Sequence, residues 1–275
     1  MSTADKIFKE MCKDILTKGV WDTDYDVRPR WEDGRPAHTI KKFGIVNRYN
    51  LQESFPILTL RKTNFRAAVD ELLWIWQKKS NNVNDLNSRI WDSWADETGS
   101  IGKAYGYQLG IKHKYKEGDF DQVDRVIYDL KNNPASRRIL TNIYNFQDLH
   151  EMHLYPCAYS MTFNVSGNKL NAILNQRSQD VLAANNWNVV QYSILVHMMA
   201  QVSGLVAGEL VHIIADAHIY DKHVPIIEEL IEMREHESPI LEIDKIDDFY
   251  NFTVDSFKLN NYQCNPFKVK VPIAV

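Results

Sequence analysis

The chain is poor in cysteine: three in 275 residues, Cys12, Cys157 and Cys264, far apart and without metal-ligand spacing. An odd, scattered count argues against a disulfide framework or a metal centre and fits free thiols in a reducing cytoplasm. No apolar run approaches the about 20 residues that a membrane span needs. Met1–Glu10 has no apolar stretch of the signal-peptide type. Internal repeats and low-complexity tracts are also missing. Nor is there an excess of positive charge: the net charge is −4, which argues against a protein that coats nucleic acid. An anionic ligand would need a local cluster of arginines. Length alone allows one large domain or two small ones, with about three quarters of the unfolded surface available for burial.

What is present is concentrated in Tyr155–Asn188. Tyr159, Met161, Phe163 and Val165 alternate with polar residues, the period of a half-buried strand. Ser166-Gly167-Asn168 supplies turn chemistry, and Leu170, Ala172 and Leu174 alternate on the way back, so a hairpin is predicted. Its ends carry Cys157 and Arg177. A guanidinium facing a thiol is an arrangement that lowers a cysteine pKa; a lone cysteine can equally be a small buried hydrophobe. The unbroken polar run Gln176-Arg177-Ser178-Gln179-Asp180, followed by Asn185, Asn186 and Asn188, is what marks the strand end as a site.

Elsewhere the chain predicts a first helix capped by Ser2 or Thr3 and ended by Gly19, with Cys12 on its apolar stripe. A loop with Arg28, Arg30 and Arg35 follows, either solvated or suited to a phosphate. Thr39–Leu51 reads as a strand and Pro56–Leu60 as a short extended segment. Thr63 or Asn64 then caps a helix with Phe65, Ala68, Leu72 and Ile75 on one face. Glu71 leans towards that face. There it pairs with a cation, has a raised pKa suited to acid-base work, or reaches out to water. Trp91 and Trp94 fall in a polar loop, as core or as a wall for a flat heterocycle. Further predictions are a helix within Gly118–Asn133, a strand begun by Ser136-Arg137-Arg138, and a buried helix over Val189–Val202. A strand at Leu210–Ile214 delivers Asp216, His218 and Tyr220; a helix runs from Pro225 to Met233; the remainder, with Phe252–Val254 and Phe267–Val271, reads as short strands and an extended tail. Strands and helices without regular βαβ alternation indicate an α+β fold.

Pro156-Cys157, Gln176-Arg177-Ser178-Gln179-Asp180, Asn188, Asp216-Ala217-His218-Ile219-Tyr220 and Pro272-Ile273-Ala274-Val275 together resemble the folate-dependent thymidylate synthases. The resemblance implies a single catalytic domain over 1–275, with a large curved mixed sheet wrapped by helices and one sheet face used for dimerisation. It implies reductive methylation of dUMP to dTMP, with 5,10-methylenetetrahydrofolate as co-substrate and no metal. Cys157 would add to uracil C6. Glu71 and Tyr105 would handle protons, and Arg177 would contact both thiolate and phosphate. Arg35, Gln176, Ser178, Asn188, His218 and Tyr220 would hold the nucleotide. Arg137 and Arg138 would be donated from the partner of a homodimer. Asp180 would serve both ligands, with Trp91, Trp94 and the terminal carboxylate of Val275 on the folate side.

The chain departs from the family pattern at Ala158, where His is common, at Leu109-Gly110, at Ala183-Ala184-Asn185-Asn186-Trp187 and at Ala215. The phosphate arginine of the first loop falls on Gly34 by counting back from Phe43-Gly44, leaving Arg35 as the nearest and Arg30 as the next. Two other enzyme readings remain in view. A dCMP hydroxymethylase would want a carboxylate where Asn188 stands, and a thiol hydrolase would need His153 or His197 as base to Cys157. A regulatory RNA-binding protein is a third, disfavoured by the negative charge.

Overall fold

The computed structural model describes residues 2–274. Ser2 caps α1 (Thr3–Lys18), its hydroxyl accepting from the Asp5 amide, and Gly19 ends it as predicted. A short strand, β1 (Val20–Trp21), and a long one, β2 (Thr39–Asn50), flank the arginine loop. Asn64, rather than Thr63, caps α2 (Phe65–Trp76). A five-residue α3 (Gly106–Gly110) leads into the small hairpin β3 (His113–Tyr115) and β4 (Gly118–Phe120), which the sequence pattern does not announce. Then come α4 (Gln122–Asn132), β5 (Leu140–Asn142), β6 (Ala158–Ser166), β7 (Lys169–Asp180) and α5 (Asn185–Val202). The chain closes with β8 (Val206–Tyr220), α6 (Val224–Glu232), β9 (Ile240–Ile243) and β10 (Phe257–Asn260).

Six strands form one mixed sheet in the order β1-β2-β8-β7-β6-β5. All neighbours are antiparallel except β7 and β8, which run parallel and are joined through α5. Helices cover one side. Trp74 and Leu72 of α2 and Val190 and Leu195 of α5 pack with Phe163, Leu174 and Leu210. Phe8 and Ile15 of α1 meet Leu230 of α6 and Ile219 of β8 in a second cluster over the same sheet. Each such large apolar side chain removed from water contributes about 1.5–3 kcal/mol before entropy is counted. Asp5 anchors α1 by accepting from both the amide and the hydroxyl of Thr59.

The simple alternation of the strands fails at one level of the sheet. In β7 the buried positions run Leu170, Ala172, Leu174, Gln176 and then Gln179, so Arg177 and Ser178 are two consecutive residues off the core. In β8 the pattern passes from Leu210, His212 and Ile214 to Ala217 and Ile219, across Ala215 and Asp216. In β2 it slips between Ile40 and Ile45, across Phe43 and Gly44, whose φ of 74° is a left-handed conformation natural to glycine. Phe43 pairs with Asp216, and Ser178 with the same Asp216, so the three slips lie side by side. They turn Ala217 and Ile219 onto the helix side and give Asp216, His218 and Tyr220 to the opposite alternation.

Some predicted elements move. Arg137 and Arg138 precede β5 instead of opening it, because only Leu140–Asn142 pairs with β6. Tyr159 does not share the core face with Met161, since a bulge separates Ala158 from Ser160 and Ala158 takes the buried place. Phe252 and Thr253 are irregular chain between two 3-10 turns, the second of which begins at Val254, and the Phe267–Val271 tail has no partner strand; the paired strands of this region are β9 and β10. Apolar residues there dock on the core without needing a ladder: Phe252 is fully buried.

Gly102 holds the loop before α3. Its φ is 74°, and a Cβ built there would stand 1.9 Å from the Glu151 carbonyl oxygen. Gly102→Ala should therefore destabilise the fold by about 2–4 kcal/mol, measured as a lower denaturant midpoint with an unchanged slope. A midpoint equal to that of the parent would show that the loop relaxes freely.

Candidate active site

One cavity of about 940 Å³ collects residues from the sheet slips, α2, α5 and the loops around them. Cys157, Glu71, Tyr105, Gln176, Arg177, Ser178, Asp180, Asn188, His218, Tyr220, Trp91 and Trp94 all line it. Ile273 and Ala274 of the C-terminal tail reach the same space. Val275, expected there as a terminal carboxylate, lies outside the described residues.

Cys157 precedes β6 and Arg177 stands opposite on β7, where the Arg177 amide donates to the Cys157 carbonyl at 2.9 Å. The guanidinium is clamped by two more backbone bonds, Nε to the Pro156 carbonyl at 2.9 Å and Nη2 to the Tyr155 carbonyl at 2.8 Å. That leaves Nη2 3.8 Å from the thiol sulfur. The expected lowering of the thiol pKa does not carry. Burial pushes the Cys157 thiol up, Arg177 pulls it down, and burial wins. The cation is in place, but desolvation of a thiolate outweighs it.

Tyr105 sits behind the cysteine, its hydroxyl accepting from the Cys157 amide at 3.2 Å. Its φ of 45° is unusual for a side chain of this size and is held by the packing of its ring against Trp91 at 4.9 Å. Trp91 is itself buried and meets Trp94 and Trp74 edge-on or tilted. The pair forms an aromatic corner supporting Tyr105, and Trp94 is the more open ring.

Glu71 is only 5% exposed and accepts from Trp187 Nε1 at 2.9 Å. Burial raises its carboxyl to about 7 despite hydrogen bonds from Gln191 and Trp187. No cation pairs with it among the described residues, so of the three sequence readings the raised pKa is the one realised. Trp187, one of the departures from the family pattern, thereby orients the buried acid. Leu109, another departure, is fully buried in the main core.

Asp180 ends β7 and caps the turn into α5, accepting from the amides of Leu182 and Ala183, each at 3.0 Å. Burial alone would raise it, but His223 and the Ala183 amide outweigh that and hold it below the usual carboxylate range. His218 Nδ1 lies 2.8 Å from Asp216, and its ring meets Tyr220 edge-on at 5.1 Å.

Arg35 is not part of this cavity. Its guanidinium is 71% exposed and ion-paired with Asp33 at 2.8 Å. Arg30 is tied to Asp26 at 3.0 Å. The loop arginine that does reach the cavity is Arg28, because Arg30 pairs with Pro36 in an isolated bridge that folds the loop tip, with Arg35, away. Arg137 and Arg138 are exposed and do not line the cavity of their own chain. Sequence reasoning missed Arg61, Lys62 and Gln191, which line it; the basic pair just before the Asn64 cap was the available signal for the first two. His153, a base for the hydrolase reading, binds the Trp94 carbonyl instead, and no histidine is bonded to Cys157 among the described residues.

The family model for thymidylate synthase matches residues 6–275. This chain belongs to the thymidylate synthase family. Members of that family are methyltransferases. Thymidylate synthase 1 of Bacillus subtilis strain 168 is 44% identical over 269 residues, covering 96% of each chain. The thymidylate synthase of Bacillus phage phi3T is likewise 44% identical with the same coverage. Among solved structures, thermostable thymidylate synthase A from Bacillus subtilis superposes with a TM-score of 0.95 at 42% identity, covering 98% of this chain and 99% of the other. The α+β architecture with its large mixed sheet is therefore that of the family.

Glu71 makes a measurable statement about pH. Its folded pKa of about 7 lies above the ordinary 4.5, so between those values the folded state holds a proton that the unfolded chain has lost. Stability then falls as pH rises, by up to about 1.4 kcal/mol per pH unit. Glu71→Gln should remove that slope, so the variant gains on the parent from about pH 4.5 to 7 and keeps a constant advantage above. Parallel stability curves for the two proteins across this range would disprove the raised pKa.

Proposed function

We propose that the chain converts dUMP to dTMP through a covalent bond from Cys157 to uracil C6. Uracil C5 is a poor nucleophile until a group adds at C6, and thiolate is the strongest nucleophile in the cavity. The observation that carries this reading is the meeting of Cys157, clamped Arg177 and buried Glu71 in one cavity with an amide, Asn188, for the base. Arg177 and Ser178 stand ready for the phosphate, and Arg28 replaces Arg35 as the loop arginine we assign to it. His218 and Tyr220 offer polar groups for the deoxyribose hydroxyl. Asn188, as an amide, fits uracil better than cytosine, which favours dUMP over dCMP.

The cavity also suits a reduced folate. Trp94, Ile75 and Ile90 give one side an apolar and aromatic wall, and Asp180, held ionised, can accept from pterin N–H groups. Methylenetetrahydrofolate supplies the carbon unit and the hydride when bound and is left as dihydrofolate. Glu71, half-protonated near neutrality, can pass a proton to the uracil carbonyl side, and Tyr105 stands by the nucleophile where the C5 proton must leave. Among the described residues no helix is long and apolar enough to cross a membrane, and all three cysteines are free; the cytoplasm is the compartment we assign.

The open face of the sheet supports a homodimer. Phe43 is 87% exposed there, and Val46 and Leu140 are about half exposed. Apolar groups on a sheet face without a covering layer favour a second copy. Exposed Arg137 and Arg138, unused in their own chain's cavity, would then complete the partner's phosphate site.

The direct assay combines dUMP and methylenetetrahydrofolate and follows dihydrofolate spectrophotometrically. Cys157→Ser should retain nucleotide binding but fall below about 1% of parental turnover, since a neutral hydroxyl is too weak a nucleophile. Substantial activity in that variant would refute the covalent route. For the shared site, an inactive Cys157 variant is mixed with an inactive Arg137/Arg138 double variant. Hybrid dimers contain one intact site, so activity should return; silence with subunit exchange demonstrated would reject donation across the interface.

A further inference from the structure

Beside the cavity floor lies a row of side-chain amides whose polarity is set from both ends. Gln176 Nε2 donates to the Ser178 backbone carbonyl at 3.1 Å. Gln191 Nε2 donates to the Ala68 backbone carbonyl at 3.3 Å. A backbone carbonyl only accepts, so each amide can sit only one way round. The Gln191 oxygen then takes Asn188 Nδ2 at 3.2 Å. The Asn188 oxygen is turned to the nitrogens of Gln176 at 3.2 Å and Gln179 at 3.3 Å. Gln179 is oriented in turn by Asn185 Nδ2 on its oxygen at 2.9 Å.

Two donors occupy the Asn188 oxygen, and one of its N–H bonds is committed to Gln191. Asn188 keeps its second N–H as a donor for a base.

The far end of the row is His212, fully buried on β8, with Nε2 2.8 Å from the Gln176 oxygen. That oxygen can only accept, so Nε2 carries the ring proton. Nδ1 is then a bare nitrogen, and it has no partner among the described residues. Burial pushes the ring pKa down to about 3, which keeps it neutral. Ala158, paired with Gln176 across the hairpin, offers only a methyl group. The remaining donor to the Gln176 oxygen is Gln179 at 3.4 Å, and that nitrogen is shared with Asn188.

We propose that His212 is a positioning residue for base selection: its Nε2–H holds Gln176, and through Gln176 holds the Asn188 amide with its nitrogen towards the cavity. A pyrimidine with a carbonyl at C4 meets a donor there and is accepted. One with an amino group at C4 meets donor against donor and is refused. The inference rests on the reading of Asn188 as the residue that faces the base.

The test compares His212→Leu and His212→Gln with the parent, measuring kcat and KM for dUMP and the inhibition constant of dCMP. In His212→Leu the preference for dUMP over dCMP should narrow at least about tenfold, carried by nucleotide KM more than by kcat, with folate KM unchanged. His212→Gln can still donate from its amide and should recover the preference to within about threefold. A merely structural histidine would lower stability and leave the ratio of the two nucleotides alone, which would overturn the proposal. Should His212→Leu fail to fold, imidazole nitrogen NMR on the parent decides: an Nε2–H tautomer that does not titrate between about pH 5 and 9 is required, and an Nδ1–H tautomer overturns it. Asn188→Asp separates the two levels. If that variant keeps the parental preference, the reading of Asn188 fails; if it loses the preference while His212→Leu keeps it, only the role of His212 falls.

Discussion

Three strands that lie next to one another each skip one residue in their alternation at the same level, and the placement of the polar groups depends on that shared slip. Without it, β7 would bury Ser178 and Asp180 in line with Gln176, and β8 would bury Asp216, His218 and Tyr220 in line with Ile214. With it, both Gln176 and Gln179 turn inward and the charged and hydroxylic residues line the cavity. A one-residue shift exchanges the two faces of a strand. Here the exchange occurs part-way along, so one strand serves the core with its first half and the ligand site with its second. Gly44 makes the corresponding bend of β2 sterically cheap.

Electrostatics divides the labour within the cavity. Glu71 has no cation among the described residues and is carried towards neutrality by burial, with Trp187 fixing its direction. Asp180, half-buried, stays ionised because His223 and two amides compensate. Two carboxyl groups in one pocket are thus separated in pKa by their surroundings, the usual way a single site holds both an acid and an anion-stable binder. Cys157 lies between these extremes: Arg177 is pinned beside it by backbone carbonyls, yet burial still favours the thiol.

Much of the site was legible before any coordinates. The hairpin from Cys157 to Arg177, the capped helix bearing Glu71 and the Asn-rich start of α5 follow from period, turn chemistry and caps, which are local properties. Glu71 was visible as a problem, a carboxyl on an apolar face, because helical spacing places it there whatever the partner. Other assignments depended on distant chain. Arg35 looked nearest by counting, but Asp33 neutralises it and the loop tip folds away, so Arg28 reaches the cavity. The thiol looked activated by its arginine, but the balance between a nearby cation and desolvation is a property of the packed interior. The tail at Phe267–Val271 has apolar spacing yet no neighbour to complete a ladder.

The amino-acid order by itself determined the main helices and long strands, the family and the motif residues of the cavity, because these follow from short-range periodicity and from motifs that occupy contiguous positions. Only the tertiary structure decided which protonation states those residues hold and which way their amides point. His212 and Gln176 are 36 positions apart, and Gln191 finds its orienting carbonyl at Ala68, 123 positions away. Such contacts have no periodic trace in the sequence; they exist only once burial has removed water and left the amides only one another and the backbone as partners.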